Sequence, residues 1–484
     1  MRWIISLLLV AIPLAGASRL ARRIDRIIRS SPAAEGAFVG VKVVEVERGR
    51  TLVELNAKRP FLPASNTKLF TTALGLARLG PDYRFETIVG SDSSPDGAGR
   101  LAGDLRLIGG GDPTLSARSV PYHLGPDTGD PLAPLEALAD QVFASGVRRI
   151  DGNIVGDDTA FVWEPYTDGW DQDDALWEYG APVSALMVND NVFRLRLEPA
   201  GSTAALSLSP EVEFFSIDNR VRVAPGLANL VELERLPGSR QLRVWGTLRS
   251  PVDRFLAMDD PALWAARIFA SALARRGIVV AGRPVALHRY RNEAGSGAEP
   301  RPAVVLARRT SPPLLELLRI IDKASQNLHA EVLLREVGRA RGGAGTRPAG
   351  LEQEKQFLAA CGITPDEYRL VDGSGLSGLD LVTPEAVVKL LLAMHGAPAR
   401  EQWISLLPVG GRDGTLEHRF GGRPEALRIR AKTGSLSQAS ALSGYVETRK
   451  GKTLAFSILI NNFTAPAAEI RRVIDRIALT LAGQ

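Results

Sequence analysis

The stretch PASNTKLF, residues 63–70, sets Ser65 three residues before Lys68 at the point where a loop runs into a helix. Leu69, Leu74 and Leu76 are among the apolar positions that follow, and Gly80 ends the run, so the pattern predicts a helix over 66–79. Side chains three apart at a helix start lie one turn apart on the same face. Ser65 therefore has two readings, a helix cap or a nucleophile with Lys68 as its base. A serine hydroxyl attacks at neutral pH only with an adjacent base, and a lysine fills that role only when burial or a neighbouring cation lowers its pKa. Alone, the pair is weak evidence, because capping by itself accounts for a serine at this position.

The surroundings read as a mixed α and β chain. Residues 37–46 and 51–56 are two strands joined by the turn ERGR. GSDSSPDGAG, from Gly90, is a turn-rich break, and GGGDPTLS further on lacks the lysine of a phosphate-binding loop, so it reads as a tight turn. A helix is expected over 134–145, a hairpin around PGSR between VELERL and QLRVWG, and a helix capped by Asp260 that closes at Gly277. From about residue 312 the pattern is helical again: LLELLRIIDK, LHAEVLLREVG and a helix over 384–395. KTGSLSQASALSGYVET, the turn RKGK and TLAFSILINN together predict a hairpin of a central antiparallel sheet. In the last helix Ile470, Val473, Ile474, Ile477 and Leu481 share the face that packs on it.

Two motifs change the balance at Ser65. SQN, Ser325 to Asn327, falls between two helices, and KTG, Lys432 to Gly434, opens a strand. The Ser325 hydroxyl can relay a proton between base and leaving group, and the Asn327 amide can hold both a lysine and a substrate amide. Lys432 supplies a cation for an anionic substrate end, and Gly434 clears the strand edge for an extended substrate. Backbone amides of Ser65 and Ser435 can form an oxyanion hole, helped by the field of the helix N-terminus.

Ser-x-x-Lys, Ser-x-Asn and Lys-Thr-Gly in this order resemble the signature of the active-site-serine penicillin-binding proteins and serine β-lactamases. Ser325 follows Ser65 by 260 residues, a far longer gap than in compact β-lactamases. GGGDPTLS, GNIVGDDTAF, YGAPVSALMVNDN, VDGSGLSGLDLVTP, LPVGGRDGTLEHRF and RAKTGSLSQASALSGYV further resemble the blocks of the D-alanyl-D-alanine carboxypeptidase/endopeptidase family of class C low-molecular-mass penicillin-binding proteins. The similarity runs over nearly the whole chain after residue 17.

The resemblance implies an α/β (α+β) fold: a transpeptidase or serine β-lactamase-like domain, 18–88 and 306–484, with a central antiparallel sheet flanked by helices. A large β-rich insertion, 89–305, would form two smaller domains. It further implies that Ser65 is acylated, that Lys68 is its base, that Ser325 and Asn327 assist, and that Lys432 and Thr433 bind the terminal carboxylate of a D-Ala-D-Ala stem peptide. The resemblance thereby implies a DD-carboxypeptidase that hydrolyses its acyl-serine, with cleavage of peptide cross-links as a further DD-endopeptidase activity and β-lactams as covalent inhibitors. One departure stands out: Gly378 occupies the place of an arginine common in the family, and Asp380 that of an asparagine. That arginine can hold the free carboxylate of a diaminopimelate side chain. Asp174, in the acidic cluster beside Trp170, is a candidate for receiving the ammonium of the same side chain.

The remaining features bound the other readings. At 484 residues the chain exceeds one core of about 100–200 residues, and 45% hydrophobic with 23% charged residues is ordinary for a globular protein. The +5 net charge is spread along the chain, which is no nucleic-acid signature. Residues 1–17 combine a basic start, an apolar core and AGA, the pattern of a signal peptide cut after Ala17, which predicts export, and with the family resemblance implies the periplasm; the apolar run is shorter than the ~20 residues of a spanning helix. After it, Leu20, Ile24, Ile27 and Ile28 share one face of a basic helix that reads as a solvated helix packed on the core, with a graze of a membrane surface as the alternative. Cys361 is the one cysteine and is expected as a small buried residue, and the five histidines show no metal-ligand spacing, so no cofactor and no metal are called for. The alternatives are a serine β-lactamase and a non-hydrolytic β-lactam or peptidoglycan sensor or scaffold. No serine lies in the G-x-S-x-G elbow of a Ser-His-Asp hydrolase.

Overall fold

Runs rich in valine, isoleucine and leucine at the two ends of the chain meet in one sheet. The computed structural model describes residues 18–125, 129–211, 213–236, 238–293 and 301–484, so the signal segment 1–17 lies outside the described residues. Five antiparallel strands stand in the order Ile429–Leu436, Ala439–Glu447, Thr453–Asn461, Phe38–Glu45, Arg50–Leu55. Helices cover both faces, which is why the inner three strands are buried along nearly their whole length instead of alternating. Arg19–Arg29 and Ala467–Ala482 close one face around Val41, Val43, Phe456, Ile474 and Ile477. Thr67–Arg78, Leu314–Lys323 and Pro384–His395 close the other around Phe70, Leu318, Leu391 and Leu459.

Between Thr67–Arg78 and Leu314–Lys323 the chain builds two large sheets and a small one of Arg100–Leu101, Arg149–Ile150 and Val279–Val280. One large sheet has five strands in the order Pro284–Arg289, Ile154–Val162, Leu105–Gly109, Glu86–Ser91, Val304–Thr310, and the other has six from Val192 to Ala257. They share a core with Ala133–Ala144 and Pro261–Arg275, the second of which Asp260 caps through Leu263 N at 2.9 Å. The fold is the mixed α and β architecture expected from the sequence.

Two local readings change, and one choice between alternatives is decided. KTGSLSQASALSGYVET is two strands, with Leu436 paired to Ala439 across a turn of Ser437 and Gln438, so the C-terminal region is a three-stranded meander. That turn lacks the Asn-Gly or Asp-Gly signal of tight hairpins and was masked by small residues on both sides. The apolar stripe of Arg19–Arg29 is spent on packing: Leu20, Ile24 and Ile27 are buried against Ala467–Ala482, leaving no apolar face for a membrane. Cys361 is half-buried at the end of helix Arg347–Ala360. No helix among the described residues is long and apolar enough to cross a membrane.

Candidate active site

Ser65 lies in a single 3-10 turn, Ala64–Asn66, just before helix Thr67–Arg78. Ala64 adopts φ +48°, a left-handed conformation costly for a residue with a Cβ and one found at functional turns. No side chain caps the helix. The Ser65 hydroxyl is thus not used as a cap; its bond is to Lys68 Nζ, at 2.9 Å. The position begins the helix, but the capping half of the sequence reading does not hold.

Lys68 is fully buried and makes two further contacts, to Asn327 Oδ1 and to the Ser374 carbonyl, each at 2.6 Å. The orientation of Asn327 follows from its other end, where Nδ2 donates to the Tyr179 carbonyl at 2.8 Å. Two of the three neighbours of Nζ are therefore pure acceptors, and only Ser65 can also donate. A neutral amine has two N–H bonds and one lone pair. Giving both N–H bonds to Asn327 and Ser374 leaves the lone pair directed at the Ser65 hydroxyl. Burial pushes the Lys68 ammonium down to about 7, and the charge of Lys432 acts in the same direction, against Asp372, Glu331 and Asp322. Near neutral pH the lysine can accept a proton.

The second and third motifs converge on the same place. Ser325, at φ +61°, connects helices Leu314–Lys323 and Asn327–Gly342 and accepts from Lys432 Nζ at 2.8 Å. Lys432 is fully buried, and burial lowers its pKa while buried Asp322 opposes that shift. Asn66 Nδ2 donates to the Lys432 carbonyl at 3.0 Å, which ties the edge strand to the serine turn. Thr433 Oγ1 meets Thr415 Oγ1 at 2.8 Å, and Ser435 is exposed on the edge strand. At Gly434 a Cβ would stand 2.5 Å from the Pro63 carbonyl, so the glycine lets the strand close on the turn that carries Ser65.

The loop after the second motif supplies a contact the sequence reading missed. Asp372 Oδ1 accepts from the backbone of Ser374 and Gly375, its Oδ2 from Ser377 N, and Glu331 Oε1 from Gly373 N and Ser374 N. These buried carboxylates fold 372–377 so that the Ser374 carbonyl faces Lys68. Arg335 pairs with Glu331 at 3.0 Å, and Trp170 Nε1 donates to Asp372 Oδ2 at 3.0 Å, which brings the inserted region onto the loop. Asp380 holds Val371 N and Thr67 Oγ1, and burial beside Asp372 pushes its carboxyl well up. An aspartate followed by Gly-Ser-Gly is a recognisable Asx-turn signal; what the turn supports was not legible in it. Gly375 has φ +77°, and a Cβ there would lie 1.9 Å from the Ala64 carbonyl. Gly375→Ala is therefore expected to destabilise the fold by about 1–3 kcal/mol and to slow acylation by displacing the Ser65 turn. Thermal melts and adduct-formation rates check this.

Asp174 sits in the 3-10 turn Gln172–Leu176, where its Oδ2 accepts from Asp171 N at 3.1 Å and its carboxyl is raised chiefly by burial. Its neighbour Tyr179, whose hydroxyl is pushed up to about 12 by burial and by Asp174, offers the carbonyl that holds Asn327. The acidic turn thus borders the site. A Cβ at Gly378 would meet nothing nearer than the Gly169 carbonyl at 3.8 Å, so nothing excludes a side chain there.

The model of the D-Ala-D-Ala carboxypeptidase 3 (S13) family matches residues 20–482. A D-alanyl-D-alanine carboxypeptidase of an Actinomadura species is 38% identical over 485 residues, covering 96% of this chain and 85% of the relative. Penicillin binding protein 4 of Haemophilus influenzae superposes with a TM-score of 0.82 at 24% identity, over 95% of this chain and 99% of that one. The same protein complexed with a β-lactam gives a TM-score of 0.77 at 24% identity, over 96% and 100%.

Proposed function

Because the chain belongs to the D-Ala-D-Ala carboxypeptidase 3 (S13) family and is a serine-type D-Ala-D-Ala carboxypeptidase, we propose that its acyl-enzyme forms on Ser65 with Lys68 as the base. The observation that carries the assignment is the set of contacts at Lys68 Nζ, Ser65 Oγ together with two acceptor-only neighbours. Ser65 Oγ attacks the carbonyl carbon of the penultimate D-alanine and its proton passes to Lys68 Nζ. The oxyanion is received by the backbone N–H groups of Ser65 and Ser435. The Lys68 proton reaches the leaving amine through Ser325 Oγ, which Lys432 orients, and D-alanine departs as the C–N bond breaks. Water, deprotonated by Lys68, then attacks the ester and frees Ser65. Lys432 and Thr433 bind the terminal carboxylate, and Gly434 keeps the edge strand close enough for the peptide to lie between it and Asn327. β-Lactams enter as substrate mimics whose acyl group stays on Ser65, and cross-link cleavage uses the same steps with a longer leaving amine. Intact mass of the protein mixed with benzylpenicillin is the test: a persistent adduct of one penicillin supports the reading. Drug consumed with no adduct points to a β-lactamase, and drug left intact with no adduct to a binding scaffold.

Recognition at the third stem position is assigned to Asp174, whose turn supports the carbonyl that fixes Asn327. Asp174→Ala is expected to lower kcat/KM about 10-fold for diaminopimelate-containing muropeptides and to leave a substrate without a side-chain ammonium unaffected; equal turnover of the first substrate removes the assignment.

The division proposed is 18–88 with 306–484 and an inserted 89–305; Glu86–Ser91 and Val304–Thr310, where the chain leaves and returns, pair with each other inside the inserted region's five-stranded sheet, so that sheet takes in a few residues on the catalytic side of each bound. Export of the chain by residues 1–17 to the periplasm belongs to the same proposal, and fits an enzyme of the cell wall.

A further inference from the structure

The helix Arg19–Arg29 packs along Ala467–Ala482 on the face of the central sheet opposite the Ser65 helix. Between this pair, the turn after Glu447 and the segment before Pro424 lies a cleft of about 630 Å³. Five arginines line it, Arg23, Arg26, Arg423, Arg449 and Arg476, against a single carboxylate, Glu425. The helical spacing explains the convergence: burying Leu20, Ile24 and Ile27 turns Arg23 and Arg26 along the side of the helix, toward Arg476.

Glu425 is taken by Arg449. Among the described residues, Arg23, Arg26 and Arg476 make no side-chain hydrogen bond or ion pair. Other arginines are held by carboxylates, Arg276 by Glu136 and Asp140, Arg194 and Arg196 by Asp253, and Arg419 by Asp475, the residue beside Arg476; what distinguishes these three from the scattered exposed arginines is that they line one concave site with Arg423 and Arg449. Like charges gathered in a concave site raise each other's energy, and an anion entering there relieves it. Planar guanidinium forks match phosphate oxygens in particular.

We propose that this cleft binds a phosphate group, presented either by the headgroup of an anionic lipid or by a soluble phosphate ester. The site is built on the opposite face from Ser65 and does not depend on the peptidase reading. The apolar side of Arg19–Arg29 is buried in the core, and the arginines are what the helix offers outward.

The test compares the purified protein processed to residue 18 with Arg23→Glu/Arg26→Glu/Arg476→Glu and with a charge-matched control, Arg222→Glu/Arg249→Glu/Arg369→Glu, which reverses three exposed arginines outside the cleft. Each is sedimented with phosphatidylcholine vesicles with and without phosphatidylglycerol, and titrated with glycerol 3-phosphate. The cleft variant is expected to lose on the order of 100-fold in affinity, the control at most a few-fold, and both to keep wild-type turnover of a small stem peptide. Binding to the phosphatidylglycerol vesicles alone identifies the lipid source, and binding of glycerol 3-phosphate the soluble one. Equal loss in both variants, or no binding of either probe by the wild type, overturns the proposal.

Discussion

Ser65→Ala is expected to form no covalent adduct with benzylpenicillin and to lose stem-peptide hydrolysis by on the order of 10⁶-fold, since removing a nucleophile disables its whole constellation. The fold should be nearly unaffected. Ser65 is half-buried, caps nothing, and its hydroxyl exchanges one hydrogen bond with Lys68 while Asn327 and Ser374 continue to hold the amine. One net hydrogen bond is about 1 kcal/mol, so the melting temperature should move by only a few degrees. Intact mass spectrometry reads the first outcome and a thermal melt the second. An adduct of full stoichiometry in this variant would place the nucleophile elsewhere.

Lys68→Ala is expected to slow acylation by on the order of 10⁴-fold, with Ser65 still present and folded. The wild-type pH profile carries the complementary signature. Lys68 works as a base only when neutral, and burial together with the Lys432 charge brings its ammonium down to about 7. The acylation rate should therefore climb with pH and level off above about 7, lying roughly 100-fold below the plateau two pH units lower. Lys68→Arg should be as inactive as the alanine variant, because guanidinium keeps its proton throughout this range. Stopped-flow acylation between pH 5 and 9 measures all three. A rate independent of pH across that interval would remove Lys68 from the role of base and leave it as a positioning cation.

Local signals carried a large part of this protein. The helix at Ser65, the Asp260 cap, the helix over 384–395 and the face of the last helix were legible because capping residues, glycine stops and apolar periodicity act over a few neighbouring residues. The three motifs named Ser65, Lys68, Ser325, Asn327 and Lys432, and the structure brings these five together. Their electrical state was not legible. The depressed pKa of Lys68 comes from complete burial and from Lys432, 364 positions along the chain, and its lone pair is aimed by a carbonyl of Ser374 that no side-chain pattern announces. The same holds for the arginine cleft, whose members come from four separate stretches between Arg23 and Arg476. Sequence by itself determined which groups the chain carries and which local elements present them, since both depend on short-range geometry. Tertiary structure alone decided which backbone carbonyls and distant charges surround each group, and that environment sets whether a buried lysine is a base and whether an exposed arginine has a partner.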